Sequence, residues 1–277
     1  MAFRFSALAI VSALAVLSLA TTANADDSAA LPEWMLSAGV PLLAHGNDPI
    51  PTWSVTALVS AQMLPRYSGS SSLQLRAYPL IDIRYKDVAF ASAIEGIGIN
   101  LLHSPDIRAG FAFNYDSGRS PGDAQQLHGT DHLRPAPDVK AFVDYVLFPV
   151  VLRADVRHTL GGAPGWIADT ASYVPVFYSD PLVIFCGLSL TWADRNSMNA
   201  HYGINTTASA ASGLPVYEAG AGLRSASIGT DMTWTLNEHW LLNVTASAQR
   251  LGTEPSNSPL VSNHIEPASS LSLGYTF

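Results

Sequence analysis

Ser269-Ser270-Leu271-Ser272-Leu273-Gly274-Tyr275-Thr276-Phe277 closes the chain. Leu271, Leu273, Tyr275 and Phe277 fall on one face of an extended strand, and Ser270, Ser272, Gly274 and Thr276 fall on the other. Against a soluble core this pattern buries one face and wets the other. In a transmembrane β-barrel the apolar face meets hydrocarbon, the small polar face lines the lumen, and aromatics gather at the membrane interface. Repetition along the chain decides between the two.

The pattern repeats. In 73–85, Leu73, Leu75, Ala77, Ile81, Ile83 and Tyr85 oppose Gln74, Arg76, Tyr78, Asp82 and Arg84. In 107–116, Ile107, Ala109, Phe111, Phe113 and Tyr115 oppose Arg108, Gly110, Ala112, Asn114 and Asp116. Segments 139–147, 150–159, 225–235 and 240–249 alternate likewise. In 182–192 one face is Leu182, Ile184, Cys186, Leu188, Leu190 and Trp192, which turns the single cysteine towards lipid. A charge at every second place is hard to bury in a sandwich core and is at home in a hydrated lumen. Charged residues are only 13% and hydrophobic residues 48%, against about 25% charged in a typical soluble domain. The expected fold is therefore all-β, a transmembrane antiparallel up-and-down barrel of about 12 strands, with ten as the alternative.

The amino terminus reads as an export signal. Arg4 is followed by the apolar stretch Leu8 to Ala20, then by Ala23-Asn24-Ala25, a small-x-small cleavage pattern. Residues 1–25 are expected to be a signal peptide cut after Ala25, and 26–277 a single barrel domain. The apolar core is shorter than the roughly 20 residues a helical span needs. The net charge of −8 argues against nucleic acid.

Counting strands back from Phe277 gives 11 from residue 53 onward, with 88–101 taken as one glycine-rich strand whose faces are spoiled by Glu95. An even number is needed, so Trp34, Leu36, Ala38 and Val40 in the loosely alternating 34–43 supply the twelfth. Segments 44–52, 117–136, 194–220 and 251–267 then fall on one side of the membrane, outside, with 85–88 and 160–165. Turns near Ser104, Phe148, Ser179 and Asn237, together with the longer 63–72, fall on the periplasmic side. The inward set Arg76, Arg84, Arg108, Lys140, Arg153 and Arg157 nearly balances Asp82, Asp116, Asp144, Asp155 and Asp231. Charges in a narrow interior are costly unless paired, so cross-lumen ion pairs and a filled or constricted barrel are expected.

Catalytic and cofactor signals are weak. Asp155, Arg157 and His158 lie close in sequence, but there is no Gly-x-Ser-x-Gly elbow, and alternation puts His158 on the apolar face. His128 and His132 have i, i+4 spacing, which chelates a metal only on a helix, and Gly129 and Pro135 oppose one. Gly96-Ile97-Gly98 and Gly220-Ala221-Gly222 lack the strand-to-helix setting of a nucleotide loop. No catalytic residue, cofactor or metal is assigned.

Several segments together resemble the MipA/OmpV family of outer-membrane proteins: Pro65-Arg66-Tyr67-Ser68-Gly69-Ser70, Pro79 to Tyr85, Gly98 to Leu102, Asn114 to Arg119, Leu190 to Asp194, Tyr202 to Ile204, Ser212 to Gly222 and Gly274 to Phe277. The resemblance runs in order from about residue 53 to the end. It implies a non-enzymatic barrel in the cell outer membrane, in contact with its lipid. It also implies a scaffold for peptidoglycan synthesis that bridges a membrane-bound lytic transglycosylase and a bifunctional penicillin-binding protein. The closing strand, through Tyr275 and Phe277, resembles the signal read by the barrel assembly machinery. On the scaffold reading the turn at Arg66, Tyr67 and Gly69 is the candidate periplasmic contact. Two other classes stay open: a diffusion channel for small solutes, and a surface adhesin using loops 117–136 and 194–220.

Overall fold

Alternation of apolar and small polar residues makes each extended segment two-faced, and closing the sheet satisfies every edge that hydrocarbon would leave unpaired. The computed structural model describes residues 51–277. Twelve strands follow in chain order: β1 (Trp53–Pro65), β2 (Leu73–Tyr85), β3 (Ala89–Ser92), β4 (Gly96–His103), β5 (Ile107–Asp116), β6 (Ala136–Leu147), β7 (Val150–Thr159), β8 (Gly165–Ser179), β9 (Leu182–Ala193), β10 (Gly222–Thr235), β11 (Trp240–Leu251) and β12 (Ile265–Thr276). Each pairs antiparallel with its sequence neighbours, and β12 returns to β1, with Tyr275 opposite Ala57 and Ser272 opposite Ser60. The fold is an all-β, up-and-down, closed 12-stranded barrel.

The twelfth strand is not the one expected. Segment 34–43 lies outside the described residues, as do the signal sequence and its cleavage at Ala25. The missing strand is β3, because 88–101 is a hairpin and not one strand. The β2–β3 turn is made by Lys86 and Asp87, both at positive φ (47° and 53°), and closed by Val88 N–H to Tyr85 C=O at 2.8 Å. Two positive φ values in succession define the hairpin turn that usually carries Asn-Gly; Lys-Asp hides it.

Splitting 88–101 reverses the direction of everything before it. The turn at 66–72 therefore lies at the end that carries connections 117–135, 194–221 and 252–264, and 86–88 lies at the end of the short turns. The expected placement of Arg66, Tyr67 and Gly69 beside the short turns is corrected. That opposite end holds 104–106, 148–149, 180–181 and 236–239, together with Trp53 and Phe277.

Side chains follow the alternation. Leu75, Phe111, Phe113, Leu188 and Leu190 point outward and are half-exposed or more, whereas Ser60, Lys140, Asp231, Thr245 and Ser272 point inward and are buried. No soluble surface carries a continuous belt of this kind; hydrocarbon covers it. Cys186 shares the outward parity of Leu188 on β9. Trp53, Tyr85, Tyr145, Trp234, Trp240 and Tyr275 ring the short-turn end, the interface girdle of a membrane barrel. Two strands whose patterns read as mixed contain bulges, between Asn100 and Leu102 in β4 and between Pro175 and Phe177 in β8. An extra residue flips the alternation.

Candidate functional site: a plugged lumen and a capped mouth

The β3–β4 turn, 93–95, folds into the lumen and delivers Glu95, which is 2% exposed. Gly96 makes this entry possible. Its φ is +90°, and a Cβ there would stand 2.2 Å from the carbonyl oxygen of Phe113. Glu95 meets three arginines from three strands: Arg108 Nη1 at 3.0 Å, Arg84 Nη2 at 3.4 Å and Arg153 Nη2 at 3.7 Å. Asp144 bridges two of the same cations, with Arg108 Nη2 at 2.7 Å and Arg153 Nε at 2.5 Å, and Asp82 takes Arg84 Nε at 2.8 Å. Three carboxylates thus neutralise three guanidinium groups.

Aromatic rings fill around the ions. Arg108 lies 5.1 Å from the Phe142 ring and 5.8 Å from Phe90, and Phe90 meets Phe142 edge-on at 5.8 Å. The space left among Phe90, Glu95, Arg108, Lys140, Phe142, Arg153 and Asp155 holds about one water molecule. Further along β7, Arg157 joins Asp155 at 3.1 Å and also Asp169 on β8. The inward charges are paired as expected, but along one side of the barrel from β2 to β8 and through the in-folded Glu95, not from wall to wall across the lumen. Its central residue, Glu95, was missed because its strand had no readable faces.

The opposite wall carries hydroxyls and amides, the carboxylates of Asp231 and, nearer the loop-bearing end, Glu266, and the apolar side chains of Leu58, Leu241 and Phe185. Asp231 accepts from Asn243 Nδ2 at 2.9 Å and from the Thr233 hydroxyl at 3.2 Å. Thr245 and Ser270 hydroxyls lie 2.7 Å apart, and Ser272 donates to Ser60 at 2.9 Å.

The loop-bearing end is capped. Its helices are α1 (Arg195–Tyr202), α2 (Thr206–Ser212) and α3 (Thr253–Ser256), with a 3-10 turn at Gln125–Leu127. Asp194 caps α1 by accepting from Ser197 N–H at 2.8 Å, and Asn205 caps α2 by accepting from Ala208 N–H at 2.8 Å. Tyr67, Leu127, Ile204, Ala208 and Leu260 form one buried apolar cluster, and Ile167, Ala193, Met198, Tyr202 and Ala219 another. Tyr67 donates its hydroxyl to Leu260 C=O at 3.0 Å, and burial pushes its phenol above the ordinary value of 10.0. Gly69 N–H bonds the Glu266 carboxylate, and Gly69 C=O accepts from Ser262 N–H at 2.8 Å. A Cβ on Gly69, at φ +96°, would lie 2.5 Å from Val261 Cγ2. Tyr67 and Gly69 are therefore pillars beneath the cap, and they offer no free contact surface.

Other sequence candidates separate. Asp155 and Arg157 point into the lumen, whereas His158 points outward and lies 4.6 Å from the Trp166 ring. His128 and His132 follow the 3-10 turn and do not share an α-helix. Tyr275 packs on Trp240 at 5.1 Å and Phe277 at 4.9 Å, at the seam where Phe277 N–H bonds Val55 C=O at 3.0 Å.

Among solved structures, the NanC porin matches with 8% identity over 80% of this chain and 98% of its own, at a TM-score of 0.42. The amino-terminal β-barrel domain of Pseudomonas aeruginosa OprF matches with 14% identity over 62% of this chain and 96% of its own, at 0.27. Neisserial surface protein A matches with 9% identity over 82% and 96%, at 0.26. No curated protein sequence matches the chain. The family described as MltA-interacting protein MipA matches residues 58–277, from the middle of β1 through the closing strand. A closed barrel with a lipid-type belt, read together with a match over that length, makes this chain an outer-membrane β-barrel protein that belongs to the MipA family.

Proposed function

We propose that the protein is a structural scaffold of the outer membrane and works through its surface, not through its lumen or a catalytic centre. The observation that carries this reading is the Glu95 ion-pair plug beneath a packed cap. A barrel blocked at two levels has no use as a diffusion route, and the family's description is that of an interacting protein.

The contact surface on this reading is the short-turn face. Phe148 is 87% exposed at the β6–β7 turn and Tyr178 is 79% exposed near the β8–β9 turn. Asp87, Asp106, Asp180 and Glu238 stand on four of the five turns, with Lys86 the basic residue among them. Aromatic anchors inside an acidic rim suit a partner with a basic surface. By the family's description, a membrane-bound lytic transglycosylase is the first candidate, and a bifunctional penicillin-binding protein would be bridged through it. With this face in the periplasm, the closing strand with Tyr275 and Phe277 also ends there, where the barrel assembly machinery would read it.

The test is a pull-down of purified lytic transglycosylase on the detergent-solubilised barrel. Phe148→Ala combined with Tyr178→Ser should weaken capture at least tenfold and leave the heat-modifiable gel shift intact. Capture unchanged by these substitutions and by reversal of the four acidic turn charges removes the proposal.

A further inference from the structure

The exposed charges of the barrel are sorted by end. Arg66, Arg134, Arg195 and Arg250 are exposed, and all four stand at the loop-bearing end, beside the exposed acids Asp131 and Glu218. The short-turn end carries Asp87, Asp106, Asp180 and Glu238 against Lys86. The less exposed carboxylates of the loop-bearing end serve its own backbone. Asp116 accepts from Gly118 N–H at 2.7 Å, Asp123 from Ser120 at 2.6 Å, Asp194 from Ser197 at 2.8 Å and Glu254 from Gly220 at 2.7 Å. Arg224 is turned to the cap, where its Nε donates to the Tyr202 hydroxyl at 3.3 Å.

The height of these arginines is set as well. Trp53, Tyr145 and Trp240 belong to the short-turn girdle, and Arg66, Arg134 and Arg250 stand 13, 11 and 10 residues away from them along the chain. At about 3.3 Å per residue and a tilt of about 40° this is a climb of roughly 25–33 Å, against an apolar band about 25 Å tall. Arg195 follows Trp192 of the opposite girdle by three residues. The four guanidinium groups therefore ring the far edge of the hydrocarbon, at the level of lipid headgroups.

Arg250 points sideways at the bilayer. On β11 it shares the outward parity of Ala248 and Ala246, and in the sheet it stands opposite Ala226 and Ile265. Below it, Ala248 and Ala246 leave a shallow furrow, flanked by Ile228 on β10 and Leu271 on β12, which are 60% and 53% exposed. A cation stands at the head of the furrow and small apolar side chains line its length.

We propose that this rim binds a phosphorylated glycolipid of the outer leaflet, with Arg250 and Arg195 on its phosphates and an acyl chain in the furrow below Arg250. Guanidinium forks match phosphate oxygens two at a time, and β9 and β11, which bring the two arginines, lie about 10 Å apart with β10 between them. An occupant that reaches Arg250 also covers Ile228 and Leu271 at hydrocarbon depth. Residues 26–50 join the barrel through Trp53 at the other end, and their acids Asp26, Asp27, Glu33 and Asp48 are costly at that depth. The inference rests on the orientation used above, with the short turns in the periplasm.

The experiment uses the full protein in detergent micelles, with lipid retention read by native mass spectrometry. The probes are diphosphorylated lipid A, the same lipid without its phosphates, and inorganic phosphate. The phosphorylated lipid should be retained at least tenfold better than the dephosphorylated one, and millimolar inorganic phosphate should not displace it. Arg195→Gln combined with Arg250→Gln should remove that preference and leave the heat-modifiable gel shift unchanged; Ala248→Phe, which fills the furrow, should weaken retention of both lipids severalfold. Equal retention of the two lipids, displacement by inorganic phosphate, or retention unchanged by the arginine variant would overturn the proposal. In cells, a photoreactive residue at position 250 should give glycolipid adducts; adducts only to residues 26–50 or to another polypeptide overturn it as well. Orientation is read separately, by labelling Glu218→Cys in intact cells with a membrane-impermeant maleimide. Labelling with no phosphate preference defeats the lipid site alone, whereas no labelling defeats the orientation and both readings built on it.

Discussion

Glu95 and Arg108 lie 13 residues apart, on a turn and on the strand after next, and their side chains meet at 3.0 Å with each only 3% exposed. Neither charge is affordable alone in that setting, and each fixes where the other stands. The contact ties the shortest hairpin of the barrel to the adjoining strand β5, and through Asp144 and Arg153 to β6 and β7.

Removing Glu95 should leave three guanidinium groups facing Asp144 and Asp82 alone. Glu95→Gln is expected to destabilise the barrel by about 3–5 kcal/mol, the usual cost of breaking a buried pair from one side. Thermal unfolding in detergent, followed by circular dichroism, measures it. Glu95→Gln combined with Arg108→Met should recover part of the loss, because the pair leaves together.

The plug also predicts electrical silence. In planar bilayers the intact protein should give no steady conductance. Glu95→Ala, Arg108→Ala and Arg153→Ala together should open measurable single-channel steps. A robust conductance from the unaltered protein would show that the ion pairs do not block the lumen.

Gly96 should tolerate no side chain. Gly96→Ala places a carbon against the carbonyl of Phe113 at a positive φ, so the hairpin must withdraw Glu95 from the lumen. Its stability loss should overlap that of Glu95→Gln, so the double variant should cost much less than the sum. Strict additivity would mean that the glycine serves only its own turn.

Tyr67 makes the cap sensitive to alkali. Its phenol is held above 10.0 by burial; a raised folded-state value favours the neutral form. The stabilisation is complete below about pH 10 and is lost as pH rises through the folded value. Limited proteolysis within 117–135 and 194–221 should therefore accelerate above that pH while the strands stay protected. Tyr67→Phe should abolish this step and cost about 0.5–1.5 kcal/mol through the lost bond to Leu260; Tyr67→Ala should cost about 3–5 kcal/mol.

Leu73–Tyr85 and Ile107–Asp116 were readable because every outward position is apolar and every inward one except Leu80 is small, polar or charged. β3 was not readable. Four residues are too few to show a period, and neither of its turns uses the Asn-Gly or Asp-Gly signal. That one omission carried the 66–72 turn to the wrong end, since direction alternates with every strand. The inward charges could be counted, but their partners depend on the register between strands far apart in sequence. Within the cap, Leu127, Ile204 and Leu260 stand in irregular connections with no period to betray that they meet.

The cap has a further consequence for immune recognition. Tyr67, Leu127, Ile204 and Leu260 come from four separate connections and are gathered beneath one small roof. Any antibody that grips the roof must read fragments of several loops at once. Immunising with a single loop peptide should therefore raise sera that bind the boiled polypeptide and ignore the folded protein.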